Sequence, residues 1–389
     1  MTSAPARAHV AMLVRNAYTH DTRVEKEART LTDAGYRVTI VADAAPASPD
    51  REARPEGDVV RVGRAGPPVP GLRFVLHQAR LARVLRDLRP DVLHAHDSNA
   101  LVPVALAARA LRVPYVYDAH DLWLGRPRRE RSRLYFALNQ LYYGLVERLL
   151  VPRAAATLTV SPPIADHLRR RYGLRSVALV PNYPEAPAAV QPIDVRGLPG
   201  GERIRSGSPV ILYLGGLMAG RGLDQLVDAM PHVRHGDLVL LGDGVLAATL
   251  RRRAARAGAA DRVHILTPVP PADVIGVAAS ADVGVSPIVP SCLNYRYSLP
   301  NKLFQYMAAG LPVVASDFPQ VREVVDGAGC GLLVDTRDPT RIATAIGRVL
   351  QDPEEAQAMG ERGRRAIRER FNWSTSAAVL LETYAALGR

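Results

Sequence analysis

The fold is decided by the stretch at residues 210–230, VILYLGGLMAGRGLDQLVDAM. Its first five residues, Val210–Leu214, are an uninterrupted apolar run that predicts a buried strand, and Leu223–Met230 has the apolar spacing of a helix. The loop between them is rich in glycine, which lets a backbone approach a ligand closely and leaves the amide groups of a helix N-terminus accessible. The stretch therefore predicts a strand–loop–helix unit whose loop binds a ligand.

The same alternation of short apolar strands and amphipathic helices runs through both halves of the 389-residue chain. This pattern is typical of parallel sheets with helices on both faces. Residues 181–209 contain ten Pro or Gly, a composition that suits a linker. We predict an α/β protein of two doubly wound, Rossmann-like domains that face each other across a ligand-binding cleft. The predicted parts are an N-terminal domain at 1–185, a linker at 186–208, a C-terminal domain at 209–370, and a C-terminal helix at 371–389 that packs back on the N-terminal domain.

Composition excludes several classes of protein. Two cysteines, Cys292 and Cys330, cannot supply a disulfide framework or a cysteine-based metal site. Among 50 Lys and Arg only Lys26 and Lys302 are lysines, and neither lies in a P-loop motif. No run of about 18 apolar residues predicts a membrane span, and the first residues lack a signal-peptide profile. We therefore expect a soluble, cytoplasmic protein.

The net charge of +12 is concentrated in the first half, because residues 1–190 contain 28 basic and 18 acidic side chains. No nucleic-acid-binding motif accompanies this charge, so we predict no nucleic-acid partner. Two segments suggest an anionic membrane instead. Residues 73–89 place apolar side chains, among them Phe74, Leu81 and Leu85, opposite arginines on one helix, and five arginines within 126–133 precede an apolar run. The alternative is that the arginines form the solvated face of a helix that packs on the core. Peripheral contact with the inner membrane face remains the other interpretation.

Two cations stand where helix dipoles disfavour them. Arg221 precedes the helix at 223–230, and Lys302 falls in the first turn of a helix for which Ser298 is the predicted N-cap, Pro300 a first-turn residue and Gly310 the end. A cation at a helix N-terminus costs about 0.3–1 kcal/mol. A bound anion would reverse that cost, so the pair predicts a diphosphate between the two helices.

The segment Gly242-Asp243-Gly244 also follows a strand and fits the dinucleotide fingerprint G-x-G-x-x-A. It makes an NAD(P)-dependent oxidoreductase an alternative function. Asp261, about twenty residues on, precedes the next strand instead of ending one, which argues against the ribose-binding role that the fingerprint requires.

Polar residues cluster at strand ends in the first half. His94, His96 and Asp97 end one strand, residues 118–121 end the next, and residues 16–23 follow the first. A substrate would lie at such ends, and His120 is the residue that we expect to contact the reacting part of the substrate. A His/Asp metal site is conceivable on ligand chemistry, but we predict no metal.

Several segments together resemble the retaining, two-domain glycosyltransferases of family 4. The matching segments, in chain order, are DTRVEKEA (21–28), DVLHAHD (91–97), YDAHD (117–121), VSP (160–162) with PN (181–182), YLGGL (213–217) with RG (221–222), GDG (242–244), DRV (261–263), and SLPNK (298–302) through GLPVVA (310–315).

The resemblance implies the GT-B fold, with a nucleoside-diphosphate sugar bound by the second domain and an acceptor bound by the first. It implies that Arg221 and Lys302 bind the diphosphate and that His120 contacts the transferred sugar. All three are predicted catalytic residues. The other predicted donor-binding residues are Gly215, Gly216, Gly242, Asp243, Gly244, His264, Tyr297, Leu299, Pro300, Asn301 and Gln305. The predicted acceptor-binding residues are Asn16, His20, Asp21 and His96.

Three positions depart from the family pattern. Tyr297 and Gln305 stand where two glutamates often bind donor hydroxyls, and Gly216 replaces a frequent arginine. The expected activity is hexosyl transfer to a small-molecule or lipid-linked hydroxyl in glycan or glycoconjugate biosynthesis, with retained anomeric configuration and without metal or cofactor. The departures keep a third alternative open, a catalytically silent protein that binds sugar nucleotides.

Overall fold

The computed structural model describes residues 7–46, 48–63, 70–127 and 132–387, and the chain divides into two compact units. The first unit comprises Met1–Asn182 and Ser376–Arg389, and the second comprises Tyr183–Thr375. Each unit contains one sheet with helices packed on it, which confirms the predicted α/β class.

The sheet of the first unit has eight strands in the order β3-β4-β2-β1-β5-β6-β7-β8. All neighbours pair in parallel except β3 and β4, which are antiparallel. The strands are β1 Arg7–Leu13, β2 Tyr36–Asp43, β3 Arg51–Arg54, β4 Gly57–Val62, β5 Val92–His96, β6 Tyr115–Ala119, β7 Ala156–Thr159 and β8 Ala178–Leu179. The helices between them are α1 Thr22–Asp33, α2 Pro70–Asp87, α3 Leu101–Leu111, α4 Arg133–Leu150 and α5 Pro162–Tyr172.

The sheet of the second unit has six parallel strands in the order β11-β10-β9-β12-β13-β14. The strands are β9 Val210–Leu214, β10 Asp237–Leu241, β11 Val263–Leu266, β12 Val283–Ser286, β13 Val313–Ser316 and β14 Gly331–Val334. The helices are α6 Leu223–Ala229, α7 Ala247–Arg256, α8 Val274–Ala278, α9 Leu293–Tyr297, α10 Asn301–Ala309, α11 Pro319–Ala328, α12 Pro339–Gln351, α13 Pro353–Glu369 and α14 Trp373–Leu387. Strands β9, β10, β12 and β13 are buried along their whole length, because helices cover both faces of the sheet.

Strand order reverses once in each sheet, and this reversal fixes where ligands bind. In the first unit the chain leaves β1 toward β2 and returns on its other side as β5; in the second it leaves β9 toward β10 and returns as β12. At such a switch point the following loops diverge, which opens a crevice beyond the carboxyl ends of the two strands. The loops after β1, β5 and β9 are therefore the places to look for sites.

The predicted linker at 186–208 belongs to the second unit instead. Its apolar residues Val195 and Ile204 are 0% and 5% exposed and lie in the core of that unit, and the Ile193 amide donates to the carbonyl of Gly276. A segment rich in Pro and Gly forms extended and turn structure, and here that structure packs against α8. The C-terminal helix α14 begins in the second unit, and from Ser376 onward its residues belong to the first.

The apolar face expected on residues 73–89 is mostly a core face. Leu81 and Leu85 of α2 are fully buried, whereas Phe74 is 38% exposed. The large exposed apolar side chains lie elsewhere, at the start of α2 and along α4. The arginine cluster at 126–133 falls partly on residues 128–131, outside the described residues. None of the helices described is long and apolar enough to span a bilayer.

Candidate functional site

A cavity of about 400 Å³ lies beyond the carboxyl ends of β9 and β10 in the second unit. It is lined by Tyr213, Leu214, Gly215, Gly216, Arg221, Leu241, Gly242, Asp243, Pro268, Val269, Val274, Pro300, Asn301, Lys302 and Gln305. Two cationic side chains and one acidic side chain are among these residues. We call this cavity the second-unit cavity.

Lys302, the second residue of α10, is the unusual group in this cavity. Its side chain is buried, and its ammonium nitrogen lies 3.6 Å from the centroid of the Tyr213 ring. Burial, together with the positive charge of Arg221, holds the pKa of Lys302 well below its ordinary value. No carboxylate pairs with Lys302 within the described parts of the chain. An unpaired buried ammonium is unfavourable, and an anion in the cavity would remove the cost.

Arg221 precedes α6 and does not lie in its first turn. The N-cap is Gly222, and Asp224 is the charged residue of the first turn. The Arg221 guanidinium carbon lies 5.0 Å from the ring centroid of Tyr295, which is a residue of α9. Gly222 has φ +72°, and a Cβ there would lie 1.6 Å from the carbonyl oxygen of Pro287. Only glycine fits, so the loop that carries Arg221 is held tightly against the loop after β12.

The predicted N-cap of α10 is wrong. Ser298 follows the short helix α9, and its hydroxyl donates to the carbonyl of Tyr295. Pro300 occupies the N-cap position without a side-chain cap, so the first amide groups of α10 receive no side-chain acceptor there. The predicted end of the helix is confirmed, because Gly310 is its C-cap with φ +73°.

The Gly242-Asp243-Gly244 turn packs against the loop after β9. The Leu217 amide donates to the Asp243 carbonyl over 2.6 Å. A Cβ on Gly244 would lie 2.4 Å from the Leu217 carbonyl oxygen. Glycine is required at 244 because the chain itself fills the space, not because a pyrophosphate needs it. This packing argues against the use of the turn as a dinucleotide fingerprint.

Nine of the residues predicted to bind the donor or its diphosphate line the second-unit cavity: Gly215, Gly216, Arg221, Gly242, Asp243, Pro300, Asn301, Lys302 and Gln305. Gly244, Tyr297 and Leu299 are not among the lining residues. Leu299 packs on the core, and Tyr297 is the half-buried last residue of α9. His264 lies at the second position of β11 and its Nε2 lies 3.1 Å from the carboxylate of Asp237, the first residue of β10. That position is toward the amino ends of the strands, away from the cavity.

A second cavity, of about 500 Å³, lies beyond the carboxyl ends of β1 and β5 in the first unit. It is lined by Val14, Arg15, Asn16, Asp21, His96, Asp97, Asn99, His120, Trp123, Arg126, Pro127, Tyr135, Phe136, Asn139, Gln140 and Tyr143. Aromatic rings and amide side chains together can stack on a sugar ring and bond its hydroxyls. We call this cavity the first-unit cavity.

His120 is held at this cavity by a carboxylate and a second imidazole. Its Nε2 lies 2.8 Å from Oδ2 of Asp118 and 3.0 Å from Nδ1 of His96. Burial alone would lower the pKa of His120, but the charges of Asp118 and Asp97 outweigh it and raise the pKa to about 9. The imidazole is therefore a cation at neutral pH, a hydrogen-bond donor and not a base.

Beneath His120 lies a buried charge network that the sequence reasoning missed. Arg23 donates to both oxygens of Asp118, over 2.9 and 2.8 Å, and lies 3.0 Å from Glu27. Burial raises the pKa of Glu27 to about 8, against the opposing charge of Arg23. The Arg23 and Glu27 positions are four apart in the first turns of α1, a spacing that could have suggested an ion pair.

Four of these buried groups could also hold a metal ion. The ligand atoms of Glu27, His94, His96 and Asp118 lie within 4.8 Å of one another. Within the described residues, Nε2 of each histidine has no hydrogen-bond partner, whereas the Glu27 carboxylate has its ion pair with Arg23. The guanidinium of Arg23 already supplies a positive charge there, so the residues do not favour a dication, and the absence of a metal stays our prediction.

Of the predicted acceptor-binding residues, Asn16, Asp21 and His96 line the first-unit cavity, and exposed His20 does not. Asn16 donates to Asp21 over 2.8 Å, and Asp21 caps α1. Other lining residues were missed. They include the aromatic residues of α4, which carry no strand-end signal, whereas Asp97, already named as a strand-end residue, follows β5 directly with φ +62° and lines the cavity.

Comparisons with known proteins identify the family of the chain. Residues 21–183 match the family model "Glycosyltransferase Family 4", and residues 208–352 match "Glycosyl transferases group 1". The two models together cover most of both units. The chain belongs to glycosyltransferase family 4. The enzyme is thus a transferase, as predicted, and the oxidoreductase and the silent binding protein are not favoured.

Relatives of known name are moderately similar to this glycosyltransferase. It is 27% identical to 2-deoxystreptamine glucosyltransferase of Streptomyces kanamyceticus over 93% of this chain and 97% of the relative. It is 26% identical to glycogen synthase of Mycobacterium tuberculosis over 78% of this chain and 70% of the relative.

Solved structures show the fold of the enzyme. Sucrose-phosphate synthase from Thermosynechococcus elongatus superposes with a TM-score of 0.81 at 22% identity, over 98% of this chain and 99% of that one. Anabaena HepE in complex with UDP-glucose gives a TM-score of 0.73 at 16% identity, over 98% and 100%. The predicted GT-B fold is confirmed.

Proposed function

We propose that the enzyme transfers a sugar from a nucleoside-diphosphate sugar, bound by the second unit, to a hydroxyl group of an acceptor bound by the first. The observation that carries the proposal is the pair Arg221 and Lys302, two cations that line one cavity beside a helix N-terminus and that pair with no carboxylate among the described residues. A diphosphate supplies the charge that the pair lacks, and HepE, of the same fold, is known with UDP-glucose bound.

The costly step of the reaction is departure of the diphosphate. The bond between the anomeric carbon and the phosphate oxygen breaks, and negative charge accumulates on the leaving oxygen. We propose that Arg221, Lys302 and amide groups at the start of α10 stabilise that charge. Cations and helix dipoles that are already oriented need little reorganisation as the charge develops.

We propose that the anomeric configuration is retained. The acceptor oxygen forms the new bond on the face that the phosphate leaves, and the acceptor proton passes to the leaving phosphate. His120 is an imidazolium at neutral pH, so it donates a hydrogen bond to the transferred sugar and takes no proton from the acceptor. Proton NMR of the product, read at the anomeric centre, tests retention.

The remaining proposals concern metal, base and acceptor. We propose that no metal or cofactor takes part, because side-chain cations already serve the diphosphate. The acceptor is a small molecule or a lipid-linked compound, and the first unit contacts an anionic membrane.

Gln305 can bond a ribose diol without charge assistance, and Tyr297 lies outside the lining residues, so sugar and base specificity rest on other contacts.

A thermal-shift panel tests the donor proposal. UDP, GDP, ADP and dTDP are compared with NAD(H) at equal concentration, since a ligand that binds only the native state raises the melting temperature. We expect at least one nucleoside diphosphate to raise it and NAD(H) to leave it unchanged. A shift with NAD(H) alone would contradict the proposal.

A further inference from the structure

Helix α4 presents two different faces. On one face, Leu134, Leu138, Leu141, Leu145 and Leu149 recur at intervals of four or three residues, which places them in a single stripe. All five are exposed, by 69, 55, 71, 56 and 46%. We call them the leucine stripe. The opposite face supplies the α4 residues that line the first-unit cavity, namely Tyr135, Phe136, Asn139, Gln140 and Tyr143.

The start of α2 extends the leucine stripe. Phe74 packs edge-on against Tyr142 of α4, with ring centroids 5.6 Å apart. Next to it, Leu72, Val75 and Leu76 are 48, 61 and 42% exposed. Exposed apolar side chains in such number along two contacting helices are uncommon on a surface that meets only water.

The exposed charged side chains of α4 and α2 are positive, apart from Asp87 at the end of α2. The only acidic residue of α4 is Glu147, which is buried and hydrogen-bonded to Ser98 and Tyr172. Arg133 and Arg148 of α4 are exposed, and α2 adds Arg73, Arg80, Arg83 and Arg86, with Asp87 its sole acid at the far end. An apolar stripe edged by arginines matches the interface of an anionic bilayer, where apolar groups enter the acyl boundary and cations meet headgroups.

We infer that the leucine stripe and the start of α2 dock the enzyme on an anionic membrane surface. Because one helix bears both the stripe and a wall of the first-unit cavity, docking places that cavity about one helix diameter, roughly 10 Å, from the bilayer. The acceptor that fits this placement is a lipid-linked hydroxyl compound. The docking deepens the membrane contact proposed above, and this last step rests in addition on the proposed transferase activity.

Flotation of the purified full-length chain with vesicles tests the docking. We compare phosphatidylcholine vesicles with vesicles that also contain phosphatidylglycerol, at low salt. The wild type should float with the anionic vesicles and not with the neutral ones. The double variant Leu138→Glu/Leu141→Glu, at exposed positions, should lose flotation. Leu106→Glu changes a 52% exposed leucine on α3, outside the stripe, and should float like the wild type.

Three outcomes would overturn the inference: no flotation of the wild type, equal loss in Leu106→Glu, or a dimer in light scattering that the double variant dissociates, since the stripe would then bind a second copy. Circular dichroism melts of each variant distinguish loss of docking from loss of folding. Nucleotide binding by the second unit is read separately by thermal shift. Failure of flotation with an intact diphosphate shift would therefore overturn the docking surface and leave the proposed transferase activity standing.

Discussion

The ammonium group of Lys302 lies 3.6 Å from the centroid of the Tyr213 ring, in a cavity that Arg221 also lines. The ring face offers a favourable contact to a cation, but it does not neutralise the charge. A bound anion would supply the opposite charge that this buried side chain needs.

Replacement of Lys302 by methionine keeps the length of the side chain and removes its charge. We expect kcat/KM to fall by roughly 100- to 1000-fold, equivalent to about 2.7–4 kcal/mol of transition-state stabilisation. Folding should be unimpaired, because an unpaired buried ammonium is lost. Lys26→Met changes the other lysine of the chain, on α1, and is the matched control, with nucleotide binding unchanged. Equal kinetics in Lys302→Met and the wild type would contradict the assignment.

Binding of a nucleoside diphosphate should take up a proton at pH values above the depressed pKa of Lys302 in the free enzyme. The pKa of Lys302 is depressed in the free enzyme and rises when an anion arrives, so the complex holds more protons than its components. Affinity should therefore weaken as pH rises through that depressed pKa. Calorimetry in two buffers of different ionisation enthalpy measures the uptake. Lys302→Arg, which stays charged, should abolish it; uptake that persists in this variant would assign the proton to another group.

His120 should make stability depend on alkaline pH. Its pKa is raised from the ordinary 6.5 to about 9, so its stabilising contribution is fully present below pH 6.5 and is lost as pH rises through about 9. Urea unfolding at a series of pH values should show this loss in the wild type and a smaller one in His120→Gln. Parallel curves for the two proteins would show that His120 is not charged in the native state.

Chelation should leave the enzyme active. Arg23 donates to both oxygens of Asp118, within the group that also includes Glu27, His94 and His96, so a dication would meet a fixed positive charge. Dialysis against EDTA followed by elemental analysis and assay should find no bound metal and unchanged turnover. Loss of turnover that added metal restores would overturn the metal-independent mechanism.

Gly222→Ala should disturb the loop that carries Arg221. The added Cβ would lie 1.6 Å from the Pro287 carbonyl oxygen, and φ +72° is unfavourable for alanine. We expect weaker nucleotide binding together with a lower melting temperature. Gly347→Ala, in the middle of α12 where nothing lies near the new Cβ, should instead stabilise the protein by about 0.5–1 kcal/mol. A Gly222→Ala variant that melts and binds like the wild type would refute the tight packing.

The fold was predictable because its signal is local. Buried parallel strands such as Val210–Leu214 are continuous apolar runs, and this strand has the predicted bounds. The short antiparallel strand Arg51–Arg54 was missed because its charged, half-exposed residues show no apolar run. The segment 186–208 was predicted to be a linker because its Pro and Gly indicate irregular backbone. That composition does not tell whether the irregular backbone packs on a domain.

Site residues could be predicted only where they lie at, or just after, the carboxyl end of a strand. Residues at strand ends and in the loops that follow, among them His96, Gly215 and Arg221, line the cavities, since parallel topology brings strand ends together. His264 was assigned to the donor site by the family resemblance alone, and its place as the second residue of β11, near the amino end of the strand, lies away from the cavity. The pairing of Arg23 with Asp118 joins residues 95 positions apart and has no signal in one sequence.

A crystal structure with the nucleoside diphosphate that gives the largest thermal shift tests the central claim most directly. The account predicts phosphate oxygens within hydrogen-bond distance of both the Lys302 ammonium and the Arg221 guanidinium. A nucleotide bound elsewhere, or one whose phosphates leave Lys302 on the Tyr213 ring without a contact, would contradict it.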